Sequence, residues 1–156
     1  MSKCCGLYES EYQYGLRMEK LLHPIFNNIF NKQFKETDKF CVYDFFKDNI
    51  FLELKSRKVS LNTYPTTIVG MYKIKETMKM KKLHPERDYY YFFKFIDNDK
   101  KLYYWKFDEK ELEEEIGNNT FYIRDVVRRD RPEKKPVPHL NIPCRFLTEI
   151  KYTDNI

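Results

Sequence analysis

An aspartate, a glutamate and a lysine lie on the strands of a largely apolar hairpin, residues 43–55, where ionised groups need a partner or a metal ion. A turn at Asp48 and Asn49 pairs residues whose numbers sum to 97, so Asp44 faces Glu53. Directly opposed residues in antiparallel strands have Cβ atoms roughly 4.5–5.5 Å apart. Two carboxylates that close repel each other, so this register predicts a cation or a proton between them.

Lys55 lies two residues beyond Glu53, so the period of a strand places both on one face, with Arg57 following. The opposite face of this strand is apolar. Glu19 is a candidate third carboxylate, because it lies on a helical stripe with apolar residues three and seven positions later. Ligands that are all oxygen select a hard ion, so we expect Mg²⁺ or Mn²⁺.

The tripeptide acid-x-Lys is a weak signal by itself, because five copies occur in this chain, beginning at Glu53, Asp99, Asp108, Glu133 and Glu149. Of these, the copy at Glu53 has an aspartate in the preceding strand at hairpin register. The copy at Glu149 is the main rival, since it follows an apolar pair, but no acid lies close upstream of it.

The elements that position these residues follow from periodicity and turn signals. We predict a helix with a kink or a second start at Pro24, a faint strand, two clear strands, and a helix capped by Thr66 or Thr67. A strand rich in aromatic residues, a turn at residues 98–99, another strand, an acidic helix capped by Asp108 and Glu111, and a further strand come next. The predicted ranges, in this order, are 10–30, 33–35, 40–46, 50–57, 68–82, 88–97, 102–107, 108–117 and 121–127.

Residues 128–143 hold four of the seven prolines and read as a basic, extended arm, after which residues 144–150 return to a sheet. The net charge is +5, but residues 108–115 contain six acids and one lysine, so the remainder has 28 basic against 18 acidic residues, or +10. A basic body suits a polyanionic partner, although an ordinary basic protein has the same charge. The length of 156 residues predicts one domain.

The cysteines and histidines show no spacing typical of zinc ligands, and no segment resembles a signal peptide or a membrane span. We therefore expect an intracellular, reduced protein of the cytoplasm, the nucleus, or a viral factory or virion, which is not secreted and does not contact a membrane.

At these residues the sequence resembles the PD-(D/E)XK nuclease superfamily, whose signature is an acid on one strand and acid-x-Lys on the next, after a helix that often carries Glu. The matches are Asp44, Glu53-Leu54-Lys55 and Glu19, with Tyr43 in place of the proline. The resemblance covers residues 10–97. It implies an α/β fold of the mixed-sheet α+β type, with a restriction-endonuclease-like core of helix, three strands, helix and strand. Residues 98–156 would extend this core with further strands and the acidic helix.

The resemblance implies a nuclease that hydrolyses phosphodiester bonds. Asp44, Glu53, the Leu54 carbonyl and Glu19 would hold Mg²⁺ or Mn²⁺, and Lys55 would orient the nucleophile or stabilise the transition state. DNA is favoured over RNA and endonuclease over exonuclease, with a homodimer as one way to cut two strands. Candidate contacts to nucleic acid are Arg57, Lys58, Thr66, Thr67, Lys73 and Lys75.

Two other interpretations remain open at this stage. A nucleic-acid-binding protein without catalysis, or a virion or structural protein, could use the same fold, with the hairpin acids simply paired to lysines. The aromatic run Tyr89 to Phe93 could stack on unpaired bases, but it is more typical of a core strand. His84 and His139 have no neighbouring nucleophile that would make them catalytic.

Overall fold

A long helix, α1 (Glu11–Phe30), opens the part of the chain that the computed structural model describes, residues 10–38, 41–96, 100–127 and 134–154. Ser10 caps it: the Gln13 backbone N–H donates to Ser10 Oγ at 3.1 Å, and the Ser10 N–H donates back to the Gln13 side chain. Pro24 lies inside this helix, which continues to Phe30 as one element. Its buried side chains pack against one face of the main sheet.

The main sheet has six strands. In their order across the sheet, they are β1 Lys35–Glu36, β2 Phe45–Lys47, β3 Ile50–Arg57, β5 Asp88–Phe95, β6 Lys101–Lys106 and β9 Thr148–Lys151. Only the β3–β5 pair is parallel among the pairs formed by these strands. The sheet is therefore mixed, which confirms the predicted α+β class. The predicted turn at residues 98–99 lies outside the described residues.

A second, antiparallel sheet has the order β4–β8–β7, with β4 Thr66–Gly70, β7 Tyr122–Val127 and β8 Pro136–Pro143. Helix α2 (Met71–Leu83) follows β4 directly and leads to β5. Helix α3 (Glu109–Gly117) is capped by Asp108, which accepts from the Glu111 N–H at 3.1 Å. A short 3₁₀ helix (Cys144–Phe146) precedes β9.

Two predictions about this region are wrong. The helix predicted from residue 68 begins at Met71, and Thr66 and Thr67 belong to β4 instead of capping a helix. The second half of the predicted arm is β8, the central strand of the second sheet; residues 128–133 lie outside the described part of the chain. Pro136 and Pro138 fit there because β4 pairs only with residues 139–143, so their missing N–H groups interrupt no ladder on that side.

Strand β5 explains how the core is divided. Tyr89, Tyr91 and Phe93 point to one face, where they pack with α2 and the second sheet, whereas Phe92 points to the other face and packs against α1. All four are at most 1% exposed, so the aromatic run is core. No helix among residues 10–38, 41–96, 100–127 and 134–154 is long and apolar enough to cross a membrane.

Candidate active site

The hairpin between β2 and β3 has the predicted register. Phe45 pairs with Leu52 and Lys47 with Ile50, and the two turn residues between the strands are Asp48 and Asn49. Asp48 adopts a left-handed backbone conformation with φ of 53°, which aspartate and asparagine tolerate better than most residues. Residues 41–44 belong to no strand, so the predicted strand 40–46 is wrong over these residues and confirmed for its last two, and Asp44 lies just before the ladder.

Asp44 is anchored to β3 by both its backbone and its side chain. Its N–H donates to the Leu52 carbonyl at 2.8 Å, and its carboxylate Oδ2 accepts from the Leu54 N–H at 2.7 Å. The carboxylate therefore takes the place of a backbone acceptor at the point where β2 has ended. This contact holds the Asp44 side chain beside Glu53, which lies between the two leucines in the chain.

Glu53 is 2% exposed, which is rare for a carboxylate unless it is paired. Two lysines reach the same oxygen, Oε1. Lys55 Nζ, from the same strand, lies 3.1 Å away, and Lys73 Nζ, from the first turn of α2, donates a hydrogen bond to it. The Lys73 side chain is only 11% exposed. One buried acid is thus held between two ammonium groups from different elements.

Glu19 joins the cluster from α1. It is half-buried, and its carboxyl group lies close enough to that of Asp44 for each to influence the pKa of the other. Two carboxylates this close repel when both are ionised, so one of them favours its protonated form. The helix, the hairpin and α2 therefore place Glu19, Asp44, Glu53, Lys55 and Lys73 in one site.

The cluster changes the pKa of Glu19, Asp44, Lys55 and Lys73. Burial, together with the charges of Glu53 and Glu19, raises the pKa of Asp44 to about 9. Burial and the charge of Glu53 also raise the pKa of Glu19. Burial and the nearby Lys73 lower the pKa of Lys55 to about 8, although Glu53 opposes the change. Burial lowers the pKa of Lys73 too, but Glu53 outweighs it, and the net direction is upward.

The donor atoms suit a hard divalent cation, since they are carboxylate oxygens. In the structure, two lysines compensate the charge of Glu53, and the raised pKa of Asp44 favours its neutral form. Within the described residues, no three Asp, Glu, His or Cys side chains are placed so as to hold a metal ion together. A divalent cation held by Asp44 and Glu19 would favour the ionised form of both groups, because an opposite charge nearby lowers the pKa of a carboxyl group.

The residues predicted to bind nucleic acid lie at different places in the fold. Lys73 belongs to the site itself. Arg57 Nη2 donates to the Ile68 carbonyl of β4 at 2.6 Å, so this side chain links the two sheets. Lys58 Nζ lies 5.2 Å from the ring centroid of Tyr14, while Lys75 is exposed on α2.

The two threonines lie away from any helix start. Thr66 Oγ1 donates to Asn141 Oδ1 at 3.1 Å, and Thr67 is buried in β4. His139 is also buried in the second sheet, with Nδ1 2.8 Å from the Val137 carbonyl, and His84 follows the end of α2. Neither histidine joins the carboxylates.

The sequence predicted Lys73 only as a contact to nucleic acid, and its position beside Glu53 was missed. The sequence signal for the position of Lys73 is its spacing to the buried residues of α2. Thr77, one helical turn later, is fully buried, so Lys73 lies at the border of the buried face of the helix. A helix start placed three residues too early obscured this, since it removed Lys73 from the first turn.

No known protein-family model matches this sequence, and no curated protein matches it either. The interpretation of the site consequently depends on the placement of its own residues.

Proposed function

We propose that this protein is a divalent-metal-dependent nuclease that hydrolyses phosphodiester bonds in DNA, as an endonuclease. The observation that carries the proposal is the cluster of side chains at this hairpin: the Leu54 N–H holds Asp44, Lys55 pairs with Glu53, and the Glu19 carboxyl lies near Asp44. Several acids and lysines gathered in one partly buried site, with strongly shifted pKa values, are typical of catalytic centres.

Asp44, Glu53, the Leu54 carbonyl and Glu19 would hold Mg²⁺ or Mn²⁺. When bound, such an ion supplies Lewis-acid chemistry, activating a nucleophile and neutralising charge that develops on the phosphate. The chain's own residues do the positioning. The Leu54 N–H fixes the Asp44 carboxylate, and the two lysines fix Glu53.

Lys55 and Lys73 add positive charge to this acidic site. Both ammonium groups lie at Glu53 Oε1, so a substrate phosphate arriving there meets two cations. Because the pKa of Lys55 is lowered to about 8, this lysine can hold or release a proton near neutral pH. We assign it to orienting the nucleophile and stabilising the phosphorane-like transition state.

The surrounding surface supports a nucleic-acid substrate. The exposed Lys58 and Lys75 would neutralise backbone phosphates without reading bases. DNA is the first substrate to test and RNA the second. A homodimer would serve cleavage of two strands, and we place the activity inside the cell.

A cleavage panel tests this proposal. Linear, circular, single-stranded and branched DNA, and RNA, are incubated with the protein and Mn²⁺ or Mg²⁺, with EDTA as the negative control. We expect cleavage that EDTA stops and that Asp44→Ala or Lys55→Ala lowers by at least about 100-fold, the usual contribution of such a group. DNA binding should survive in both variants.

The chain offers a matched control in its rival acid-x-Lys tripeptide on β9. Glu149 is exposed there and accepts from the Tyr103 hydroxyl at 3.0 Å, far from the carboxylate cluster in the sheet order. Lys151→Ala should therefore leave cleavage unchanged. If Lys151→Ala and Lys55→Ala reduce the rate equally, the assignment of the site is wrong.

A nucleic-acid-binding protein without catalysis is the second candidate. The pairing of Glu53 with two lysines favours it, because those contacts satisfy the buried charges without an ion. This candidate prevails if the purified protein binds DNA but cuts no form of it with any divalent ion.

A further inference from the structure

Tyr72 is an aromatic residue that is half exposed, at 51%, beside the carboxylate cluster. It precedes Lys73 in the first turn of α2, and Lys73 Nζ lies 5.9 Å from the centroid of its ring. The same ammonium group donates to Glu53. One lysine thus connects the ring to the place where a scissile phosphate would bind.

The ring of Tyr72 packs against the end of β4. It lies over Gly70, the last residue of β4, so closely that a Cβ atom at position 70 would be 2.8 Å from Cε1 of the tyrosine. Glycine allows this approach because it has no side chain. The ring therefore rests against backbone on one side, while about half of its surface is open to solvent.

We propose that Tyr72 stacks on an unpaired base next to the cleaved phosphate, so that the preferred substrate is a single-stranded or locally unpaired nucleic acid. The inference rests on the proposed function, since it takes the cluster at Glu53 as the phosphate site. Any base offers a flat face to an aromatic ring, so such stacking is tolerant of sequence. Bases inside a duplex are already stacked on each other, and they present no free face to a protein ring.

Charge around the ring agrees with this substrate. Lys73 and the exposed Lys75 follow Tyr72 in the same part of α2, so a strand whose base lies on the ring has cations within reach of its phosphates. Alternation of a stacking ring with phosphate-binding cations is typical of surfaces that bind single strands. The aromatic residues of β5 cannot take this role, because Tyr90 lies on the face of the sheet that packs against α1 and the others are buried.

Binding measurements test the inference separately from cleavage. The affinity of the protein for a labelled single-stranded oligothymidine and for a duplex of equal length is measured by fluorescence anisotropy, with Ca²⁺ replacing Mg²⁺. We expect wild-type protein to prefer the single strand. Tyr72→Ala should weaken that complex about tenfold, or about 1.4 kcal/mol, and leave the duplex complex unchanged. Tyr72→Phe, which keeps the ring, should stay within about twofold of wild type.

Tyr64→Ala is the matched control. Tyr64 is 62% exposed and precedes β4, whereas Tyr72 follows it, so the five residues of that strand separate them by roughly 17 Å. Its removal should leave both affinities unchanged. A second probe carries abasic sites, which lack the stacking partner. Tyr72→Ala should not weaken binding to this probe further, and thermal unfolding should show that the variant is folded.

The inference is wrong if wild-type protein binds the duplex at least as tightly as the single strand. It is also wrong if Tyr72→Ala weakens both complexes equally or neither of them. A protein that cuts no nucleic acid but needs Tyr72 to bind a single strand would refute the proposed nuclease and retain the stacking role. A protein that cuts duplex DNA equally well with and without the Tyr72 ring would retain the proposed nuclease and refute the stacking role.

Discussion

Asp44→Asn should make this protein more stable at neutral pH while it abolishes cleavage. The amide keeps the shape of the side chain. Its oxygen can still accept from the Leu54 N–H, and an amide is neutral at every pH of interest. At neutral pH the raised pKa keeps Asp44 protonated in the folded protein, so the substitution removes the proton uptake that folding requires and leaves the hydrogen bond to Leu54 in place.

The magnitude follows from the pKa of Asp44, which folding raises from 3.8 to about 9. Between these values the unfolded chain binds fewer protons than the folded one, so the free energy of unfolding falls as the pH rises. The interval from 3.8 to pH 7 is about 3 pH units at about 1.4 kcal/mol each, a cost of ~4 kcal/mol. A buried amide also needs its hydrogen bonds, so we expect the variant to recover about half, ~2 kcal/mol.

Urea unfolding, followed through the fluorescence of the single, buried Trp105, measures this difference. The gain of Asp44→Asn over wild type in the free energy of unfolding should be small at pH 5 and should increase through pH 7 to pH 8.5. Asp48→Asn is the control in the same hairpin. Its carboxylate is exposed, and its hydrogen bond with Lys32 lowers its pKa, so its removal should bring no gain in stability.

Two results would refute the reasoning. One is an Asp44→Asn variant that is no more stable than wild type at pH 7 and pH 8.5. The other is a stability difference that does not change with pH, since a change in packing alone has no pH dependence. Added Mg²⁺ should stabilise wild type more than the variant, because a ligand stabilises the state that binds it.

Two further substitutions test contacts that hold the site's elements together. Arg57→Met keeps the apolar stem but loses the charged hydrogen bond to the Ile68 carbonyl, and it should cost about 1.5–3 kcal/mol in the same unfolding assay. Thr77→Val removes the hydroxyl that lies 2.7 Å from both the Tyr43 and the Tyr91 phenols, and we expect a loss of about 1–3 kcal/mol. Unchanged midpoints in either variant would show that the bond concerned does not stabilise the fold.

Local patterns in the sequence predicted the parts of this fold that local contacts determine. Helix α1 was predicted from its periodicity, within one residue of its observed start. The hairpin register followed from a two-residue turn between alternating strands, and Asp48 has the backbone conformation that such a turn requires. In both cases the residues that decide the structure are close together in the chain.

The second sheet was missed for the opposite reason. Its strands β4 and β8 pair across about 70 residues of chain, as in Thr67 with Ile142, and β8 contains prolines that usually indicate an extended arm. Without the partner strand, β4 looks like the beginning of the helix that follows it. Strand pairing over long separations has no local signature, so the sequence was misread at both positions.

The same division applies to the site. The sequence by itself determined the register of β2 and β3 and placed Lys55 on the same face as Glu53, because a turn and a period of two specify those neighbours. Only the tertiary structure brought Lys73 to Glu53 and Glu19 to Asp44, since both contacts need helices packed on the sheet. The same packing excludes water from Asp44, and this burial raises its pKa. No pattern along the chain specifies that burial.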